Sequence, residues 1–375
     1  MKLTRILLAI TVLIVFIGCG NNQQQNQSDN QTVKIGAILP LSGEYASYGQ
    51  TIKNGYELAL KELNAKDSKF NVSIQYEDSK SDVKESVNAI QKLISIDNVD
   101  SILGPFSSSD VLSCGPIAEK NKKILFTTSA SSPAISDLGD YIFRNVPSDN
   151  LEATLMANFL IDNLKVNKIS IIHINSEYGL GVTNAFKKVY SGKGLNAENA
   201  VSYNTGTKDF KTILSKIKAD NPEAIYLVGY KELGLITKQV KELGINSKLF
   251  STALFEDKDV LASAGDSANG VIFTSITFDP QSTDPRAMQF SKTYSENYGS
   301  PPDGFAAVAY DGVYILYPIL KKCGKNADCI KTELYNVRDF PGLLGNISVD
   351  SNGDVSLPIR LKKVQDGKFV DYNQE

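Results

Sequence analysis

Three hydroxyl groups in a row, Ser107-Ser108-Ser109, follow Gly104-Pro105 where the short apolar run Ser101-Ile102-Leu103 gives way to a helical pattern through Ala118. The free N–H groups of a helix start, with hydroxyls beside them, can hold a carboxylate. One of the three serines must cap the helix, which leaves a hydroxyl over for binding. A second hydroxyl-bearing turn, Ser129-Ala130-Ser131, follows Ile124-Leu125-Phe126. Its plainer role is a turn before Pro133. Tyr178, in Glu177-Tyr178-Gly179, comes after the apolar run 168–174, and Tyr230 comes after 224–228. Tyr48, with Tyr45 as a weaker candidate, lies in the loop after 33–39. An aromatic face attracts an ammonium, although a tyrosine can equally pack within its own domain. An ammonium held away from water also needs a carboxylate. Glu256 and Asp257, after the run 249–252, are the candidates.

These groups suit reversible capture of a small carboxylate or amino acid, and no reactive set accompanies them. There is no Gly-x-Ser-x-Gly elbow, no phosphate-binding Gly-x-x-x-x-Gly-Lys loop, no His-Glu-x-x-His and no Cys-x-x-Cys. The single histidine, His173, sits inside Ile171-Ile172-His173-Ile174 and reads as a buried strand residue. Gly179-Leu180-Gly181 lacks the third glycine of a dinucleotide motif. The acidic run Asp350-Ser351-Asn352-Gly353-Asp354 is too short for a twelve-residue calcium loop and reads as a β-turn. No metal, cofactor or enzymatic activity is expected. With 39 basic against 42 acidic residues the net charge is −3, and no basic footprint for nucleic acid is visible.

The elements that would position these groups alternate. Strand-like runs at 33–39, 72–76, 101–103, 124–126, 168–174, near Val201, 224–228, near Phe250 and at 271–274 are separated by segments of helical spacing. Ser148 or Asp149 can cap one of these helices, running through Leu164. Repeated βα units predict parallel sheets with helices on both faces. A chain of 375 residues suits two domains. No Pro- or Ser-rich linker divides it, so the joints read as short hinge crossings. The fold class expected is α/β, with two doubly wound lobes and parallel central sheets. In open parallel sheets, ligands sit beyond the carboxyl ends of strands, where the turns above lie.

The N-terminus carries Lys2 and Arg5, then an apolar run from 7 to 17 broken only by Thr11, then Gly18-Cys19. That run is too short to span a bilayer and reads as a signal peptide, residues 1–18. A small residue before Cys resembles a lipidation site, with Cys19 as the acceptor. Residues 21–32 are almost all Asn, Gln and Ser and read as a flexible tether within 19–32. The expectation is a lipid-anchored domain outside the cytoplasm. Cys323 and Cys329 bracket a short loop that a disulfide could close in an oxidising compartment, and Cys114 reads as a small buried apolar residue.

Taken in order, several short motifs resemble one family. They are Pro40-Leu41-Ser42-Gly43 with Tyr48-Gly49, Gly104-Pro105-Phe106-Ser107-Ser108, Ala130-Ser131-Ser132-Pro133, Glu177-Tyr178-Gly179, Ala264-Gly265-Asp266, Ala309-Tyr310-Asp311 and Phe340-Pro341-Gly342-Leu343-Leu344-Gly345. The chain resembles the type I periplasmic binding proteins, on the leucine/isoleucine/valine-binding branch that serves ABC transporters. The resemblance implies three hinge crossings. One lobe would hold 33–146 plus 279–336, and the other 147–278 plus 337–375, with an amino acid captured between them and delivered to a membrane permease. It also implies that Ser108 is a carboxylate-binding serine and that Ser131 replaces the usual threonine at the amino-acid head. Tyr178 and Tyr230 would close over the ligand. The family's ammonium-binding glutamate falls at Ala253, which leaves Glu256 or Asp257 to substitute. Two alternatives stay open: a sensory or regulatory module of the same shape, or a binder of amides or simple carboxylates.

Overall fold

A computed structural model describes residues 31–372, apart from Glu198, Thr277 and residues 279–281. The expected signal peptide, Cys19 and most of the tether lie outside the described residues. Among the described residues, no helix is long and apolar enough to cross a membrane.

The chain begins with strand β1 (Gln31–Leu39), helix α1 (Ala46–Lys66), β2 (Phe70–Asp78), α2 (Val83–Ser95), β3 (Ser101–Leu103), α3 (Ser108–Lys120), β4 (Ile124–Thr127) and β5 (Ile142–Arg144). These strands form a parallel sheet in the order β2-β1-β3-β4-β5. Helix α2 shows how local chemistry sets an element. Asp82 accepts from Glu85 N at the start, and Ser86, Ala89, Ile90 and Leu93 repeat along one buried face. Between β3 and α3 the chain turns at Gly104, whose φ of +86° is open to glycine at little cost. A Cβ there would meet the carbonyl of Ile38 on the neighbouring strand.

After β5 the chain enters the second lobe. It continues through α4 (Asp149–Asn158), β6 (Ile169–Ile174), α5 (Glu177–Gly192), β7 (Ala200–Tyr203), α6 (Lys211–Asp220), β8 (Ala224–Val228), α7 (Glu232–Glu242), β9 (Lys248–Ser251), α8 (Lys258–Ala264) and β10 (Ile272–Ile276). Strands β6 and β8 are buried along their whole length, as mainly apolar strands in a doubly covered sheet should be. His173 is buried with them, its Nδ1 3.0 Å from the Ile174 carbonyl.

Helices α9 (Pro285–Tyr298), α10 (Gly304–Cys323) and α11 (Ala327–Tyr335) then return to the first lobe. Helix α10 packs along α1, and Gly55 permits the close approach, since a Cβ there would lie 2.9 Å from the Ala309 methyl. Cys323 and Cys329 are joined by a disulfide. A hairpin of β11 (Phe340–Gly342) and β12 (Gly345–Ile347) is fastened to α10 where Leu343 N donates to Asp311. Gly353, in the following acidic turn, accepts from Arg144 N at the end of β5. Finally β13 (Ile359–Gln365) and β14 (Lys368–Asp371) join the second sheet, antiparallel at its edge, giving the order β14-β13-β10-β9-β8-β6-β7.

Candidate ligand-binding cleft

The carboxyl ends of both parallel sheets face a cleft of about 580 Å³ between the lobes. Of the residues singled out from sequence, Ser108, Ser129, Ser131, Tyr178, Tyr230, Tyr48 and Glu256 all line it. Ala130 does not. Its methyl is buried in the first lobe's second apolar cluster, with Ile135 and Ile142, and its N–H donates to Thr127 Oγ1 at 3.2 Å.

On the first lobe, Ser107 caps α3 through a reciprocal pair with Asp110: Asp110 N donates to Ser107 Oγ at 3.1 Å, and Ser107 N donates to Asp110 Oδ2 at 3.3 Å. Ser109 Oγ accepts from Glu177 N across the cleft at 3.3 Å. Ser108 is left facing the cavity. Its Oγ accepts from Ser132 N at 3.1 Å, so its own hydrogen is free to donate into the cleft. The Ser129 hydroxyl is used inward, donating to the Phe106 carbonyl at 2.8 Å.

Behind these hydroxyls stands an aromatic wall. The Tyr48 and Phe106 rings stack at 5.5 Å, and Phe305 closes on Tyr48 at 5.3 Å. Tyr230 reaches across from the second lobe to within 4.8 Å of Tyr45 and 6.1 Å of Phe106. Tyr178 lies 5.4 Å from Tyr230, and its hydroxyl is committed within its own lobe, donating to Thr252 Oγ1 at 2.9 Å. Sequence reading missed Phe106 and Phe305. Their signal was present, because Phe106 adjoins the serine run and Phe305 opens a helix.

The second lobe supplies acids, though not the expected ones. Glu256 lines the cleft, but its carboxylate is paired with Lys362 Nζ and accepts from Ser275 Oγ. Asp257 caps α8, accepting from Asp259 N at 2.6 Å and Val260 N at 3.1 Å. Two other acids line the cleft from the first turn of α4. Ser148 serves as the cap, accepting from Asn150 N at 3.4 Å, which frees the Asp149 carboxylate from that role. Asp149 is 1% exposed and its Oδ2 has no hydrogen-bond partner among the described residues. Glu152 Oε1 accepts from Ala253 N at 2.6 Å and from Thr274 Oγ1. A carboxylate therefore does sit at Ala253, brought there from another helix. Burial first, then the Glu152 charge, pushes Asp149 well above the usual carboxylate range against the opposing pull of Ser131 and Arg144, and burial raises Glu152 as well.

Arg144 organises the junction. It is fully buried, and its Nη1 donates to the carbonyls of Ser131 and Ser132 at 3.0 and 2.9 Å. Its Nη2 donates to Asp354 Oδ2 at 2.6 Å, and its Nε forms an ion pair with Asp354 Oδ1 at 2.6 Å. The turn holding Ser131 is thus fixed to the acidic turn near the C-terminus. Among the described residues, no group of three or more His, Cys, Asp or Glu side chains is placed to hold a metal ion.

Comparison with known proteins accords with this geometry. A family model described as periplasmic binding protein matches residues 32–368. The Leu/Ile/Val-binding protein BraC3 of Rhizobium johnstonii is 27% identical over 345 residues, 90% of this chain and 93% of that one. A crystal structure of the leucine-binding protein LivK of Thermotoga maritima superposes with a TM-score of 0.85 at 27% identity, covering 91% of this chain and 98% of that one. The branched-chain amino acid transporter substrate-binding protein LivJ of Streptococcus pneumoniae, in complex with isoleucine, gives 0.83 at 26% identity, covering 90% and 98%. The chain belongs to the type I periplasmic binding protein family, on the branch of the Leu/Ile/Val-binding relatives, and is a binding protein rather than an enzyme.

Proposed function

We propose that this protein is a lipid-anchored, extracytoplasmic receptor that captures an aliphatic amino acid between its lobes and delivers it to an ABC permease. The observation that carries the reading is the cleft itself. A free serine hydroxyl beside a helix start faces buried carboxylates across an aromatic wall, which suits a zwitterion with an apolar side chain. The relatives named for leucine, isoleucine and valine support that choice. Ser108 would donate to the ligand carboxylate, with Ser131 beside it. Tyr48, Phe106 and Phe305 would pack on the side chain, while Tyr230 and Tyr178 cover it from the second lobe. Ligand would dock on the first lobe, and closure about the crossings between the lobes would complete the contacts. Cys19 would carry the lipid, with the following tether setting the distance from the membrane.

A thermal-shift screen against leucine, isoleucine, valine, amides and benzoate tests the reading. A branched-chain amino acid should raise the midpoint increasingly with concentration. Ser108→Ala should weaken that binder roughly tenfold or more, because a hydrogen bond to a charged group is lost. No shift with any amino acid would reject the proposed ligand, and a shift with amides alone would replace it.

A further inference from the structure

We infer that the ligand's cationic nitrogen is held by Asp149 and Glu152 of α4, and that the cleft therefore selects amine-bearing ligands against carboxylates lacking an amine. This rests on the cleft being the ligand site.

Apart from Lys258, the charged side chains lining the cleft are acidic. Most are already matched. Glu256 has Lys362, Asp259 has Lys231 at 3.3 Å, and Asp257 and Asp303 cap helices. Asp149 and Glu152 differ. They stand three residues apart and so share a face of α4. Both are more than nine-tenths buried, and Glu152 receives only neutral donors. Among the described residues, the buried cation nearby is Arg144, committed to Asp354 and to the Ser131 and Ser132 carbonyls. A second buried group is also unmatched. The Tyr226 hydroxyl is fully buried without a hydrogen-bond partner among the described residues, and the charges of Glu152 and Asp149 act on it. The titratable groups facing the pair are Arg144 from β5, Tyr178 from α5, Tyr226 and Tyr230 from β8 and its exit, and the Glu256–Lys362 pair from the segment after β9 and from β13. None supplies an uncommitted positive charge.

Two buried carboxylates this close cannot both ionise without a counter-charge. A ligand ammonium would be that charge. Before capture the pair shares a proton. When the ammonium arrives the proton leaves to solvent, so both carboxylates become acceptors for its N–H groups. The carboxylate end of the same ligand then points at Ser108, on the opposite wall.

Isothermal titration of the protein with leucine, isoleucine and valine, each against its des-amino acid, tests this in two buffers of different ionisation enthalpy at one pH. The amino acids should bind at least tenfold more tightly than their des-amino partners. Their enthalpies should differ between buffers, reporting proton release. Glu152→Gln and Asp149→Asn, each with a melting midpoint near that of the parent, should lose both the preference and the buffer dependence. A purely structural acid would not move the buffer dependence. Des-amino acids or benzoate binding as tightly as the amino acids would overturn this inference and leave the binding role standing. Full amine affinity in both variants would overturn it equally. Binding of none of these compounds would remove the inference and the proposed ligand class together.

Discussion

The first-lobe wall of the cleft offers mainly hydroxyls and rings, with its acid Asp303 engaged in capping α10, whereas the second-lobe wall carries two buried carboxylates without matched charge. The same βα grammar builds both walls. Each functional group follows a parallel strand or sits in the first turn of a helix. What differs is who satisfies the polar atoms. On the first lobe the protein does most of it: Ser107 caps its helix, Ser129 bonds the Phe106 carbonyl, and the Ser131 carbonyl receives Arg144 and Asp149 N. On the second lobe Asp149 keeps an empty oxygen. A pre-satisfied wall can dock a ligand without rearrangement, while an unsatisfied wall gains only when the ligand arrives. Under the proposed function, that asymmetry would give closure a driving force that depends on ligand.

Breaking the satisfied side should have the largest effect. Arg144→Met keeps an apolar stem of similar length but strands Asp354 and two carbonyls in a buried site. Removing one partner of a buried pair costs about 3–5 kcal/mol. Urea denaturation should report a loss of that order, and ligand affinity should fall as the Ser131 turn loosens. A loss under about 1 kcal/mol, the scale of an exposed ion pair, would mean that the first-lobe wall does not rely on this clamp.

How much of this contrast the sequence discloses follows from what each residue type advertises. The strands at 101–103 and 224–228 are legible because short apolar runs end at glycine or turn residues. Strand β5 is not, since it is three residues long and ends in an arginine that reads as surface. Nothing in the local pattern says that Arg144 is buried, because its partner Asp354 lies 210 residues away. The serine turns and tyrosines are legible because they follow strand ends, and the structure gathers them in one cleft. Ala130 turns its methyl into the core, which leaves its backbone carbonyl, not its side chain, to meet a ligand. Asp149 and Glu152 are hidden by an ordinary role. Acids in a first helical turn favour the helix dipole, and only Ser148 taking the cap releases them. Glu256 holds the expected place, but β13 brings Lys362 against it from far along the chain.

The charge difference between the walls can be sharpened by pH without any ligand. Burial raises the folded-state values of Asp149 and Glu152 above the unfolded carboxylate range near 4. The folded state then holds more protons than the unfolded one. Stability from this pair is complete below the unfolded value and is lost as pH rises through the raised folded values. Other carboxylates with the opposite shift, such as Asp78 and Asp220, shape the whole-protein curve. The difference between Glu152→Gln and the parent isolates the pair. In melts from about pH 4 to 8, the variant's midpoint relative to the parent should climb with pH. A difference independent of pH would mean that the second-lobe acids titrate normally and that the contrast lacks its charge basis.

The smallest expected effect lies where the walls meet. The Tyr45 hydroxyl is 3.1 Å from Thr205 Oγ1 on the opposite lobe, a contact that separation of the lobes would break. Tyr45→Phe deletes it and keeps the ring against Tyr230. A neutral hydrogen bond contributes about 1 kcal/mol, so affinity should fall roughly fivefold. In the proposed order, with docking on the first lobe before closure, the change should appear in the dissociation rate, with association little altered. Stopped-flow fluorescence with the best binder separates the two. A slower association with unchanged dissociation would place Tyr45 in the docking step, and would assign to the first-lobe wall a role that the two-wall contrast gives to closure.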